Sequence, residues 1–266
     1  STHRRSSAAS DEYKRQRLHL LLGIIYGNSK SKNEGLYESA KKAVKDGFTA
    51  LKIDPLPDNY YDLSLDQLIK ETIATVAALR EGAGSEVDII LEIHRKLTPM
   101  TSVHLAESIK EFNPMFFEDP IQIDSIISQS DIAKKVSIPI ANGERMHSIW
   151  EFRELLANGG PQYVRPDVGL AGGITQTKKI ASIAESYHSA LITHNFLGPI
   201  LTAASVHIDV SIPNFITQEY SLGDESEKNN YLISSLKREG GYIITPEKPG
   251  LGIEINKEII NQVPYE

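Results

Sequence analysis

The chain has 266 residues, 40% hydrophobic and 24% charged, with a net charge of -7 and no cysteine. That profile suits a soluble globular domain and argues against a nucleic-acid or anionic-membrane surface, and no apolar run reaches the ~20 residues that span a bilayer. The lack of cysteine excludes disulfides, thiolate metal sites and cysteine nucleophiles, and makes the cytoplasm the expected location.

Residues 1–17 open with STHRRSSAAS, which is basic, small and polar, and read as a disordered or truncated N-terminal segment. LHLLLGIIY (18–26) reads as a strand, EGLYESAKKAVKDG as a helix closed by Gly47, and FTALKID (48–54) as the next strand. Ser64 and Gln67 stand at capping-box spacing ahead of a helix whose Leu65, Leu68, Ile69, Ile73 and Val76 share one face, with Gly82 and Gly84 available to stop it. VDIILEIH, MFFEDP, SIPIANGE, QYVRPD, ALITHN and NFITQE follow, separated by helix-length segments; Ile180, Ile183, Ala184 and Tyr187 give one of these its buried stripe. Near-continuous apolar strands joined by helices imply a parallel sheet covered on both faces. No composition break falls within 18–220, so these residues are expected to form one catalytic barrel domain, with 221–266 packing back on it or on a cap.

Six successive strand segments end on ionisable residues: Glu92, Glu118, Glu144, Asp167, His194 and Glu219, at steps of 26, 26, 23, 27 and 25 residues. One βα unit of a closed barrel has about that length, and the C-terminal ends of barrel strands meet in one ring, where active sites sit. Taken singly, a strand-end acid simply faces water. Three converging glutamates repel, by ~4 kcal/mol per pair at ~4 Å and an effective dielectric near 20. Either they protonate or a cation sits between Glu92, Glu118 and Glu144. Hard oxygen donors favour Mg2+, with Mn2+ as a substitute.

His94 lies two residues beyond Glu92 and, on a continuing strand, shares its face. Asp167 and His194 end adjacent strands, where an aspartate fixes a histidine's tautomer and orientation. Glu219 is either a protonated acid or a salt-bridge partner. Lys52, with Asp54 on the same face, either contacts a substrate carboxylate or neutralises the acids. His104, His147, His188 and His207 read as surface or packing residues, Trp150 is expected to pack, and His3 and His19 carry no signal.

As an ordered set, LEIHRKLTP, FFEDP, IPIANGER, VRPDVGLAGGIT, ITHNFLGP, NFITQE and the late PEKPGLGIEIN resemble the enolase superfamily. More narrowly they resemble its mandelate racemase/muconate lactonizing enzyme type, the galactonate and gluconate (acid-sugar) dehydratase branch. The resemblance implies a modified TIM barrel, (β/α)7β, acting as a homo-oligomer on a small sugar acid. It implies metal ligands at Glu92, Glu118 and Glu144, a C2 base at His194 paired with Asp167, an acid at His94 for the leaving C3 hydroxyl, and Glu219 near the enediolate oxygens. Lys52 and Arg145 are the implied substrate contacts. Three features depart from the pattern. LKID lacks the second lysine of a Lys-x-Lys pair, which counts against racemases of that kind. Arg95 and Lys96 stand where many relatives carry Gly-Arg. Ahead of the first strand stand only residues 1–17, where the family carries an N-terminal α+β capping domain, so that domain is expected to be missing from this stretch. A racemase or epimerase, and a catalytically impaired capless barrel that only binds sugar acid, are the alternatives.

Overall fold

The computed structural model describes residues 15–22, 31–225 and 230–262. Among them eight parallel strands form a ring: β1 (Arg15–Leu21), β2 (Ala50–Ile53), β3 (Asp88–Glu92), β4 (Phe116–Glu118), β5 (Ile140–Asn142), β6 (Tyr163–Val164), β7 (Ala190–Leu191) and β8 (Gln218–Tyr220). Each strand pairs with the next from β1 to β7, β8 pairs with β1, and Leu191 bridges Phe215 just ahead of β8. Seven helices fill the gaps: α1 (Lys32–Lys45), α2 (Leu65–Ala83), α3 (Pro99–Ile109), α4 (Ile126–Lys135), α5 (Ile149–Ala157), α6 (Gly173–Ser186) and α7 (Pro199–Asp209). Seven βα units and a closing strand make the expected (β/α)7β barrel.

Local chemistry sets the helix limits. Ser64 and Gln67 form the full capping box of α2, and Gly84, at φ +80°, ends it. Gly82 is no stop: it lies inside α2, where a Cβ would fall 2.4 Å from the Tyr37 carbonyl oxygen, so glycine lets α1 and α2 approach. The strand β1 begins at Arg15, inside the stretch assigned to an N-terminal tail, and residues 23–26 of the expected first strand lie outside the described residues. Trp150 does not pack as expected; it is 64% exposed on the first turn of α5.

The pleat explains why acids end these strands. Ile89, Leu91 and Ile93 join Leu36, Leu79 and Leu105 in the core between sheet and helices. Ile90 and Phe116 belong instead to a separate small cluster with Ala141 and Ile192 inside the ring. Glu92 and Glu118 continue that inward column and stand side by side in register. After β8 the chain adds β9 (Leu232–Ser234), β10 (Arg238–Glu239), β11 (Tyr242–Ile244), β12 (Glu254–Ile255) and α8 (Lys257–Ile260). The strand β11 runs antiparallel to the start of β1, so the C-terminal segment packs back on the barrel.

His19 also faces into the ring, beside Glu219 in register, fully buried, and neither ring nitrogen has a hydrogen-bond partner among the described residues. Burial, with Arg165 adding to it, lowers its pKa from 6.5 to about 3. The ring stays neutral in the fold while the unfolded chain takes up the proton. Stability from this group is therefore complete above pH 6.5 and is lost as pH falls toward 3. Between pH 6.5 and 5 the loss is about 2 kcal/mol. Denaturant titrations of His19→Leu are expected to show a pH dependence flatter by that amount; an unchanged slope would mean that the ring titrates normally.

Candidate active site at the barrel mouth

Glu92 and Glu118 close β3 and β4, and Glu144 follows β5 by two residues after Gly143, whose φ of +135° is one that glycine adopts readily. All three are buried, and one oxygen from each lies within 4.8 Å of the others. The set consists of hard oxygen donors at converging strand ends, which fits a divalent cation. The barrel also supplies cations of its own. Lys52 Nζ lies 2.9 Å from Glu92, 3.0 Å from Glu118 and 2.6 Å from Glu219. Arg165, fully buried, donates to Glu118 through Nε and to Glu219 through Nη2, the latter at 2.6 Å. Arg95 bonds Glu144 and, at 3.1 Å, Asp119.

These charges set one another's ionisation. Burial and the adjacent Glu118 push Glu92 well above the usual carboxylate range. Burial would raise Glu118 too, but Arg165 and Lys52 outweigh it and hold that carboxyl at about 2. Burial and Arg165 oppose the charge on Lys52, yet Glu118, Glu219 and Glu92 hold its ammonium above the usual lysine range. Asp119, buried beside Glu144 and Glu118, is raised to about 6. Five carboxylates (Glu92, Glu118, Asp119, Glu144, Glu219) thus face three internal cations (Lys52, Arg95, Arg165), and the layer remains acidic. Repulsion among the acids is relieved partly from within, by Lys52 and also by Arg165 and Arg95, to which sequence reasoning assigned no such role.

Above this layer opens a cavity of about 390 Å³, lined among others by His94, Glu144, Arg145, His194 and Glu219, within the range of small-molecule sites. His194 Nδ1 lies 2.8 Å from Asp167 Oδ2, while its Nε2 is 3.4 Å from Glu144. Burial works against a charged His194, but the Asp167 hydrogen bond and the fields of Glu219 and Glu144 raise its pKa above the ordinary histidine value. His94 reaches the same cavity by a different route from the expected one. The strand β3 stops at Glu92, so strand alternation does not orient His94; a left-handed backbone does, with φ +52° at His94 and +64° at Arg95. The carboxylate of Glu92 fixes the turn by accepting the His94 amide at 2.8 Å.

Lys52 sits in the acid layer as a neutralising charge, one of its two expected readings, and also lines the cavity floor. Arg145 lies at the exposed edge, its Nε 3.7 Å from Glu144. Sequence reasoning gave no role to Arg165 or to Asp119. The signal for Arg165 was its place in QYVRPD: an arginine directly after the strand Tyr163–Val164 and two residues before Asp167.

Residues 35–259 match the family described as enolase C-terminal domain-like. The D-gluconate/D-galactonate dehydratase of Picrophilus torridus is 31% identical over 227 residues, covering 85% of this chain and 58% of that protein. The D-galactonate dehydratase of Ralstonia nicotianae is 37% identical over 199 residues, covering 72% and 52%. This chain therefore spans little more than half the length of these relatives. The crystal structure of an enolase superfamily member from Salmonella Typhimurium superposes with a TM-score of 0.88 at 28% identity, covering 94% of this chain and 68% of that one. A mandelate racemase/muconate lactonizing enzyme from Sulfitobacter sp. gives 0.85 at 29% identity, covering 95% and 65%. With the closed (β/α)7β ring and its strand-end acids, these matches show that the chain belongs to the enolase C-terminal domain-like family of the enolase superfamily.

Proposed function

We propose that this barrel is the catalytic part of a magnesium-dependent acid-sugar dehydratase, a hydro-lyase that converts an aldonic acid such as gluconate or galactonate to a 2-keto-3-deoxy acid. The observation that carries the reading is that two histidines line one cavity together with Glu144, whose carboxylate has an oxygen within 4.8 Å of one from Glu92 and one from Glu118. The names of the dehydratase relatives support the substrate class. Glu92, Glu118 and Glu144 would hold the Mg2+, or Mn2+ in its place; bound there, the ion would offset negative charge developing on the substrate carboxylate when C2 loses its proton. His194, held by Asp167, takes that proton on Nε2. His94 gives a proton to the C3 hydroxyl, the C3–O bond breaks with its electron pair, and water leaves. The resulting enol tautomerises to the keto acid. Lys52 and Glu219 stay in the polar layer below and keep the charges there fixed, while Arg145 at the rim is placed to meet the substrate.

Screening the aldonic acids with Mg2+ for keto-acid product tests the reading. Glu144→Gln is the sharper metal probe, because Glu144 lies at the mouth and is not tied to Arg165. The substitution is expected to weaken Mg2+ binding at least tenfold by calorimetry; unchanged affinity would remove Glu144 from the ligand set. A racemase or epimerase would use the same two histidines, one on each side of the substrate. It would exchange or invert C2 without losing water.

A further inference from the structure

His94 has a partner that the dehydratase reading does not use. Asp54, one residue past the end of β2, places Oδ2 3.0 Å from His94 Nδ1. Asp54 is itself tightly held. Its Oδ1 accepts the Leu56 amide at 3.1 Å, and its Oδ2 also takes Lys96 Nζ at 2.5 Å. Lys96 in turn lies over the Tyr60 ring, 5.4 Å from its centroid. The pair across the mouth is built the same way. Asp167 uses Oδ1 to accept the amides of Gly169 and Leu170, at 2.8 and 3.0 Å, and Oδ2 to bind His194 Nδ1. One aspartate–histidine pair follows the ends of β2 and β3, the other the ends of β6 and β7, four strands away around an eight-stranded ring.

The backbone gives a second, independent reason to assign a role here. Two consecutive non-glycine residues, His94 and Arg95, are left-handed. Such positions are uncommon for residues with a Cβ and persist only where the surroundings hold them. Here the turn carries the His94 ring away from the line of β3 and against Asp54. A carboxylate that merely tied down the loop would have no need of the imidazole, because the Leu56 amide and Lys96 already satisfy it.

We infer that Asp54 is the positioning residue of His94: it holds the ring with Nδ1 protonated and Nε2 turned to the cavity. The inference deepens the dehydratase reading and rests on it for the chemical consequence. A ring protonated on both nitrogens gives its Nε2 proton to the departing C3 hydroxyl. What remains is the neutral Nδ1–H tautomer, whose hydrogen Asp54 already accepts, so no rearrangement is needed after transfer. The lysine missing from LKID is thereby replaced by a group that serves the acid instead of acting as a base.

Two-bond 1H–15N NMR spectra of the neutral His94 ring, assigned with His94→Gln, test the geometry without substrate. The parent is expected to carry its hydrogen on Nδ1, and Asp54→Ala to shift most of it to Nε2, the tautomer that free histidine prefers. A parent ring with its hydrogen on Nε2, or a tautomer unchanged in Asp54→Ala, would overturn the assignment. With an aldonate substrate, Asp54→Ala is expected to slow water loss about 10–100-fold, the usual cost of losing such a supporting group. C2 proton exchange, which depends on His194, is expected to stay near the parent rate. An equal fall in both would show that Asp54 only supports the loop, and would also overturn it. If the tautomer shifts as expected but no aldonate is dehydrated by the parent, Asp54 keeps its role toward His94 and the dehydratase reading falls.

Discussion

Arg165→Met is expected to lower the unfolding free energy by about 3–5 kcal/mol, the usual cost of removing one partner from a buried ion pair. Arg165 is fully buried, bonded to Glu118 and Glu219, and set 5.9 Å from the centroid of the Phe116 ring. Methionine fills much of the volume but supplies no donor. Glu118 and Glu219 would then keep Lys52 as their shared cation, in positions that are buried. For a chain of this size the change corresponds to a fall in Tm of roughly 10 °C. Arg165→Lys keeps the charge but cannot span both carboxylates, and its loss should fall between parent and methionine variant. Denaturant unfolding at pH 7 reads the effect directly. A loss below about 1 kcal/mol would mean that the two carboxylates protonate at little cost, contrary to the low ionisation ranges of Glu118 and Glu219.

His194→Asn is expected to slow C2 proton exchange with solvent deuterium by about 10²–10⁴-fold, the usual worth of a positioned general base. Asparagine keeps a polar side chain near Asp167 but offers no basic nitrogen to the cavity. The carboxylates remain in place, so Mg2+ affinity should stay within about twofold. Lys52 is a poor substitute: three glutamates surround its ammonium and keep it protonated. Exchange at the parent rate would transfer the base role to another residue.

Much of this arrangement was legible because it depends on periodicity. The capping box at Ser64 and Gln67 and the apolar stripe of α2 are local signals that the structure reproduces. The repeat of ionisable residues is kept as well, although only Glu92 and Glu118 end their strands, Glu219 lies within β8, and Glu144, Asp167 and His194 follow theirs by two or three residues. Partner identity was not legible. Arg165 meets Glu118 and Glu219 across separations of 47 and 54 residues, a pairing that appears only when the ring closes. His19 was silent because LHLLL reads as continuous apolar strand; only the closed ring turns Leu18 and Leu20 to the helices and leaves His19 inside. His94 was correctly picked as a mouth residue for an incomplete reason. Its position comes from a left-handed turn at His94 and Arg95, where propensity favours glycine and where tertiary contacts to Glu92, Asp119 and Asp54 prevail.

Incubation of the chain in D2O with D-galactonate or D-gluconate and magnesium tests the proposed water loss most directly. A 2-keto-3-deoxy acid carrying solvent deuterium at C3, formed only while Mg2+ is present, is the expected product. Aldonate recovered with deuterium at C2 and no keto acid, or keto acid formed equally well after the metal is chelated, would contradict it.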